Sequence, residues 1–344
     1  MSYEFPPYRS WTPSRPCQIL SYASAVPARS VSNQEIIDRN GLKLPDAMVR
    51  RTVGVSSRFV ADANLADSDL LTRAARECLE KAGIPVERLS KLIANKFLGD
   101  RILPPTASIV QRKLGSNLAF QCMDIDGGAN SFLQALDMAA RCIAMGDEYV
   151  LVVSGGLCHD FTSRTDLRTA FLYGDGAAAL LLGPADETHI VGSYFFSNPA
   201  YLDQACGIRF IDIASVDLDA PDAEAKMRDL LRLGNWKDSQ DFVLDAAKTT
   251  VDRLLEGAGL AMGEIDRFLV SESNGPLWES ILAHVGIPRE KTESMLATHG
   301  NTMTANLPLL YAAGQSRTPL LPGQHTLFLS FGEGISGGGI LYKH

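Results

Sequence analysis

Two stretches of small and polar residues, each directly ahead of an apolar helix pattern, are the first candidates for a chemical site. One has the sequence Asp-Ile-Asp-Gly-Gly-Ala-Asn-Ser-Phe over residues 124–132, and the other has His-Gly-Asn-Thr-Met-Thr-Ala-Asn over residues 299–306. The first turn of a helix carries unpaired N–H groups and the positive end of the helix dipole. Two helix starts that meet would therefore bind an anion or stabilise a developing oxyanion.

The elements that must position these stretches alternate between strand-like and helix-like patterns. They follow an N-terminal arm of residues 1–17, which is rich in proline. Ile19–Ala25 is predicted to be the first strand, and Ser68–Ala82 an amphipathic helix that ends at Gly83. Leu89–Asn95 is predicted to be a buried strand. This alternation is typical of the α/β class of folds.

The chain also contains an internal repeat. Three pairs of segments match in order, at an offset of about 175 residues: 79–94 with 255–270, 108–115 with 280–286, and 146–155 with 323–332. The preserved order indicates two copies of one α/β unit, joined around residues 184–190. The predicted division is an arm at 1–17, a first half at 18–183 with its site turn at 127–132, and a second half at 184–344.

Composition and charge exclude several classes of protein. Lys and Arg total 32 against 40 Asp and Glu, and the net charge of −8 argues against a nucleic-acid binder and against docking to an anionic membrane. No apolar stretch is long enough to span a membrane, and the N-terminus lacks the pattern of a secretory signal, so a cytoplasmic protein is expected. The six cysteines form no CxxC pair and the six histidines have no ligand spacing, so no metal site is expected.

Five motifs, found in order, carry a resemblance to a known family. They are RTVGVSSR at 51–58, PTASIVQRKLG at 105–115, YGDGAAA at 173–179, GNT at 300–302 and FGEGISG at 331–337. From about residue 18 to the end, the chain resembles ketoacyl synthase III and its relatives, the thiolase-fold condensing enzymes. The resemblance implies a thiolase-like α/β fold of two pseudo-duplicated halves in five layers, α-β-α-β-α. It also implies a dimer in which edge strands of the two first halves pair.

The resemblance also implies a chemistry, from which this sequence departs. The family carries out acyl transfer and decarboxylative Claisen condensation with a Cys, a His and an Asn, and a helix start lowers the pKa of the Cys. The Cys position falls on Ala129, the His position on Glu272 and the Asn position on Asn301. The N–H of the family's oxyanion hole falls on Glu333. Alanine cannot form a thioester, so only Asn301 keeps the family residue.

Several interpretations of these departures stay open. Ala129 is an engineered replacement of a native Cys, the mark of a naturally inactive partner of a working synthase, or part of an enzyme that forms no covalent acyl intermediate. Glu272, Glu333 and Asp126 would together form an acidic pocket, in which crowding raises a pKa and supplies a general base. Alternatively, one or more of them points away or pairs with an arginine, which is the preferred interpretation for Asp126.

The coenzyme A contacts of the family are only partly retained. Arg58 matches a nucleotide-contacting arginine and is the first candidate at a pantetheine or phosphate entrance, whereas the stacking Trp falls on Met48 and a further arginine falls near Leu277. The other arginines expected near this entrance are Arg50, Arg51, Arg164 and Arg168. No cofactor is expected to be bound permanently, because coenzyme A or a phosphopantetheine thioester is the expected substrate.

The expected function is that of a ketoacyl synthase III-like acyltransferase in specialised lipid or polyketide biosynthesis, acting on acyl-coenzyme A or an acyl carrier protein. In an active form, residue 129 would carry the acyl group, Asn301 would position the thioester or enolate, and Glu272 would replace the His. The alternative is a non-catalytic subunit that completes the pocket of an active homologue. A homodimer is expected, or a heterodimer with such a homologue.

Overall fold

The structure, a computed structural model, describes residues 3–101, 103–115, 118–126, 128–158, 162, 166–204, 216–217, 219–223, 226, 236–332 and 335–344. Its strands are β1 Cys17–Ala25, β2 Arg29–Ser32, β3 Ser57–Val60, β4 Lys91–Lys96, β5 Gln121–Ile125, β6 Val150–Gly156, β7 Gly176–Pro184, β8 Ile190–Ser197, β9 Arg267–Val270, β10 His325–Gly332 and β11 Ser336–Lys343. Its helices are α1 Asn33–Arg39, α2 Asp46–Val53, α3 Asp67–Ala82, α4 Thr106–Leu114, α5 Ser131–Ala144, α6 Leu167–Ala170, α7 Gln240–Ala258, α8 Gly275–Val285, α9 Leu296–His299 and α10 Asn306–Arg317.

The first large sheet has the strand order β1-β7-β6-β4-β5. β4 lies parallel to β5 and β6, whereas β7 lies antiparallel to β6 and β1. The central strands are covered on both faces, which explains why they are apolar without alternation. The predicted strands Ile19–Ala25 and Leu89–Asn95 correspond to β1 and β4, within two residues at each end.

The second large sheet repeats the first almost strand for strand. Its order is β8-β11-β10-β9, with β9 parallel to β10 and β11 antiparallel to both β10 and β8. β8, β11, β10 and β9 thus take the places of β1, β7, β6 and β4. The place of β5 is taken by a single parallel bridge between Phe268 of β9 and Thr292.

Three apolar clusters divide the molecule into layers. Helices α3 and α4 cover the outer face of the first sheet. Helices α5 and α10 fill the space between the two sheets, where Phe132 of α5 and Phe328 of β10 are fully buried. Helices α7 and α8 cover the outer face of the second sheet. The predicted α-β-α-β-α architecture of two similar halves is therefore confirmed.

The helix ends of the two halves show what the sequence repeat encodes. Gly83 ends α3 with φ 63°, and Gly259 ends α7 with φ 68°, a left-handed conformation that favours glycine. At both ends, the glycine N–H bonds the carbonyl three residues earlier and the next N–H bonds the carbonyl five residues earlier. A short 3-10 turn then leads into β4 or β9. The segments that match in sequence have the same local structure.

The arm ahead of β1 packs against the second half. The Tyr3 hydroxyl donates to the carbonyl of Ser197 in β8 at 2.9 Å. Phe5 stacks on Phe242 of α7, with ring centroids 5.5 Å apart. Residues 3–16 therefore tie the start of the chain to β8 and α7, although they contain no helix or strand.

Candidate active site

The starts of the two central helices meet in the middle of the molecule. The 3-10 turn Gly128–Asn130 leads into α5, and the turn Met303–Ala305 leads into α10. The two turns pack against each other, and the turn Gly128–Asn130 also packs against β10. A Cβ placed on Gly332 would lie only 3.1 Å from the backbone nitrogen of Ala129. The pairing of helix starts that the sequence predicted is present.

The start of α5 offers no nucleophile among its described residues. Ala129 is partly buried and contributes only a methyl group. The next hydroxyl along the chain belongs to Ser131, which is fully buried. Ser131 donates to the carbonyl of Gly128 and accepts from the side-chain amide of Asn95. This hydroxyl serves the turn itself, and it does not face a substrate.

Asn301 is held in one orientation beside the turn at 303–305. Its Oδ1 accepts from the backbone N–H of Met303 at 2.7 Å, and its Nδ2 donates to the carbonyl of Ser273 at 3.1 Å. A side-chain amide has two N–H groups and two acceptor lone pairs. One N–H group and one acceptor lone pair of the Asn301 amide therefore remain unused among the described residues.

Glu272 follows β9 and is buried, with 1% of its surface exposed. Its carboxylate accepts from the Ser294 hydroxyl, from the N–H of Met295 at 3.1 Å, from the N–H of Leu296 at 3.3 Å and from Nδ2 of Asn306 at 3.1 Å. The N–H of Glu272 donates in turn to Oδ1 of Asn306 at 2.9 Å. Both carboxylate oxygens are thus occupied by protein donors.

These contacts indicate that Glu272 positions the segments around it, a role that the sequence of the chain did not indicate. Burial raises the pKa of the Glu272 carboxyl, and its hydrogen bonds from Ser294, Met295 and Asn306 favour the charged form and oppose that rise. The side chain connects the end of β9 to the first residues of α9 and α10. Its action as a base in place of the family's His stays a prediction, and a base would first have to release these donors.

The acidic pocket is not assembled by the described residues. Asp126 is exposed and forms an ion pair with Lys96, with 3.1 Å between Oδ2 and Nζ. The preferred interpretation for Asp126 is a side chain that points away or pairs with an arginine, and its ion pair is instead with a lysine. Glu333 lies outside the described residues, so its predicted part in the pocket and in the oxyanion hole stays a prediction.

Arg58 does not lie at an exposed entrance for coenzyme A, where the resemblance placed it. It is buried, with 1% of its surface exposed, and its guanidinium donates to the carbonyl of Val31 at 3.1 Å and the carbonyl of Phe171 at 2.7 Å. Burial lowers the pKa of this guanidinium to about 10. A Cβ on Gly300 would lie 3.2 Å from the Arg58 Cβ. Arg58 thus supports the segment that carries Asn301 from behind, out of reach of a nucleotide.

The other arginines that were expected near the entrance are exposed or lie outside the described residues. Arg168 pairs with Asp166, with 2.8 Å between Nη2 and Oδ2. Arg50 pairs with Asp46 along α2, with 2.7 Å between the charged atoms. Arg51 is exposed on α2 as well, and Arg164 lies in a segment that is not described. A role at a phosphate entrance stays a prediction for Arg168.

Two further positions at which the resemblance predicts coenzyme A contacts are apolar. Met48, at the predicted position of the stacking Trp, is exposed on α2. Leu277, near the predicted position of a further arginine, is buried in the first turn of α8. Neither side chain can pair with a phosphate, so any nucleotide held here is held by other groups.

Sequence reasoning missed Asn130, which directly follows Ala129. This side chain is fully buried, yet neither its amide nitrogen nor its amide oxygen has a hydrogen-bond partner among the described residues. The only signal in the sequence was the residue type. Asparagine is mostly exposed in folded proteins, so a fully buried asparagine is uncommon.

Two kinds of feature, a metal-binding cluster and a membrane-spanning helix, are absent from the described residues. No cluster of three or more His, Cys, Asp or Glu side chains there is arranged to hold a metal ion. In the same part of the chain, no helix is both long and apolar enough to cross a membrane.

The layers and the paired helix starts define a thiolase-like protein. A solved structure of 3-oxoacyl-(acyl carrier protein) synthase III from Pseudomonas aeruginosa matches 96% of this chain and 98% of its own, with a TM-score of 0.84 and 23% sequence identity. Family models identify the particular family: that of the 3-oxoacyl-[acyl-carrier-protein] synthase III C-terminal region matches residues 255–344, and that of 3-oxoacyl-[acyl-carrier-protein] synthase III matches residues 123–199.

Full-length relatives give the same result. The beta-ketoacyl-[acyl-carrier-protein] synthase III of Syntrophomonas wolfei is 30% identical over 336 residues, which cover 95% of this chain and 97% of that protein. An acetoacetyl-CoA synthase of a Streptomyces species is 28% identical over 326 residues, which cover 93% of this chain and 96% of that protein. The chain belongs to the 3-oxoacyl-[acyl-carrier-protein] synthase III family, as the sequence motifs predicted, and its function is ketosynthase III-like.

Proposed function

We propose that this chain binds an acyl thioester of coenzyme A or of an acyl carrier protein at the start of α5, and that it acts without an acyl-cysteine intermediate. The residue that supports the proposal is Ala129, which the sequence motifs predict to stand at the nucleophile position of the family. A methyl group cannot accept an acyl group from a thioester. The acyl carbon therefore stays bonded to the carrier sulfur until an acceptor attacks it.

The surroundings of Ala129 support such a direct transfer. The start of α5 places the positive end of a helix dipole beside the thioester, which lowers the energy of a tetrahedral oxyanion. Asn301 adds an N–H group that the described protein leaves unused. In the reaction the acceptor forms a bond to the acyl carbon, the carbon–sulfur bond breaks, and the proton of the acceptor ends on the carrier thiol.

The contacts of Glu272 favour a second candidate function. Ala129 carries no reacting group, and the Glu272 carboxylate is occupied by protein donors. These features suit a non-catalytic subunit that pairs with an active homologous synthase and completes its pocket. In that case the chain forms a heterodimer, whereas the enzyme can be a homodimer.

Intact-protein mass spectrometry and product assays with acyl-coenzyme A and malonyl-coenzyme A separate these functions. The wild-type chain is expected to bind the thioester, to gain no acyl mass and to form product with an acceptor. The Ala129→Cys variant is expected to gain one acyl group. The matched control is Ala144→Cys, which places a thiol at the far end of the same helix and is expected to gain none.

The other outcomes are equally informative. Binding without product from the isolated chain, followed by product when an active homologue is added, would favour the partner subunit. Acylation of the wild-type chain would contradict the absence of a covalent intermediate. Failure of both the wild-type chain and Ala129→Cys to bind any thioester would overturn the enzyme function, and a search for a partner subunit would follow.

A further inference from the structure

The side-chain amide of Asn130 is unusual because it is buried beside the candidate active site without hydrogen-bond partners among the described residues. Asn130 is fully buried at the end of the turn that precedes α5, and it makes no cap hydrogen bond to that helix. Neither Nδ2 nor Oδ1 has a partner among the described residues. A buried amide without partners loses its hydration and gains nothing in exchange, so its presence destabilises the free protein.

The amide faces the end of β10. A Cβ on Gly332 would lie 3.3 Å from the backbone nitrogen of Asn130 and 3.6 Å from its Oδ1. A glycine at this position therefore lets β10 approach the turn closely, because a Cβ would press against the two backbone nitrogens. The amide adjoins Ala129, where the proposed function puts the thioester carbon.

Two buried hydroxyls on neighbouring elements share this lack of partners. Ser330 lies in β10 two residues before Gly332, on the same face of the strand as Phe328, which points to the central layer. Thr302 immediately precedes the turn that packs against Gly128–Asn130. Neither hydroxyl oxygen has a hydrogen-bond partner among the described residues. Unused donors and acceptors thus accompany the amide on both of the elements that pack against it.

We propose that Asn130 is a specificity-determining residue for an acyl group that carries a hydroxyl or keto oxygen on the second or third carbon from the sulfur. The proposal rests on the proposed function, because the thioester at residue 129 brings these carbons next to residue 130. An amide both donates and accepts, so it can pair with either oxygen group. A plain alkyl chain would leave the amide unpaired and would be bound more weakly.

The unfolding temperature without ligand tests the premise. Asn130→Leu has a similar volume and removes the unpaired amide, so it is expected to raise the unfolding temperature of the whole chain. The matched control is Asn33→Leu at another buried asparagine, whose Nδ2 donates to the carbonyl of Val55 at 2.7 Å. This control is expected to lower the unfolding temperature. An equal fall in Asn130→Leu would show that a fixed water or protein group satisfies the amide, and it would overturn the proposal.

Titration calorimetry with 3-hydroxybutyryl-coenzyme A, as both enantiomers, and butyryl-coenzyme A tests the specificity. The wild-type chain is expected to bind one hydroxyacyl thioester at least tenfold more tightly than butyryl-coenzyme A. Asn130→Leu is expected to lose this preference, so that it binds the hydroxyacyl thioesters and butyryl-coenzyme A with similar affinity. Equal binding of all three by the wild-type chain, or an unchanged preference in Asn130→Leu, would overturn the specificity proposal alone. Failure of the wild-type chain to bind any of them would also overturn the proposed function.

Discussion

Single residues in this protein are defined by their hydrogen-bond partners more than by their place in the family motif. The sequence motifs predict Glu272 at the position of the family's His, and its carboxylate is occupied by donors from 294–296 and from Asn306. They predict Arg58 at the position of a nucleotide contact, and its side chain is buried behind the segment that carries Asn301. Both side chains make their contacts within the protein.

Glu272→His, the family residue, is expected to destabilise the protein by about 2 kcal/mol or more. An imidazole cannot accept from all the donors around Glu272, and each buried donor left unpaired costs about 1–3 kcal/mol. Urea unfolding measures the loss, with the exposed Glu290→His as control. Unchanged stability in Glu272→His would show that the contacts of this carboxylate are dispensable.

A second prediction concerns the pH dependence of stability and rests on Asp67, which is buried at the start of α3. Burial raises the pKa of its carboxyl from 3.8 to about 7; Asp100 and Asp175 also raise it, and hydrogen bonds from the N–H groups of Leu157 and Gly99 oppose the rise. A raised pKa means that the folded protein binds the proton more tightly. The stability that Asp67 contributes is therefore complete below about pH 4 and is lost as the pH rises to about 7.

Asp67→Asn should accordingly unfold at a temperature several degrees above that of the wild-type chain at pH 8, and at an equal temperature near pH 4. The amide keeps an acceptor for the N–H of Leu157 and carries no charge at any of these values. Thermal unfolding across this pH range provides the measurement, and the exposed Asp62→Asn provides the control. A difference that is the same at both pH values would rule out titration of Asp67 as the cause.

At the scale of elements, much of the architecture could be predicted because it depends on local rules. The strand predicted at Leu89–Asn95 follows from its apolar residues, and the helix ending at Gly83 follows from apolar periodicity and a terminal glycine. The site could be predicted only in part. The pairing of the two helix starts follows from the repeat, whereas the contacts of Glu272 join segments about 25 residues apart that have no shared pattern.

The equivalent helix ends allow a matched test. Gly83→Ala and Gly259→Ala are each expected to lower the free energy of unfolding by about 1 kcal/mol, because alanine disfavours the left-handed conformation while its methyl group meets open space at both positions. Gly263→Ala is the control, since its methyl group also meets open space and its φ is not in that region. Urea unfolding should show two equal losses and an unchanged control. Unequal losses would mean that the two ends differ in more than backbone strain.

At the scale of the whole molecule, the arm at residues 3–16 connects the first residues of the chain to β8 and α7 of the second half. Phe5→Ala is expected to lower the free energy of unfolding by about 2 kcal/mol, less than for a fully buried phenylalanine, because Phe5 is only partly buried against Phe242 and Phe196. The exposed neighbour Glu4→Ala is the control. Equal stability of both variants would show that the arm adds nothing to the second half.

The position of this arm has a consequence for synthesis on the ribosome. The arm leaves the exit tunnel before β8 and α7, which it contacts and which are made only after residues 18–183. Strand β1 likewise waits for β7, its one partner in the sheet among the described strands. A nascent chain that has not yet reached α7 therefore exposes the aromatic rings of Tyr3 and Phe5, which is the kind of surface that chaperones bind.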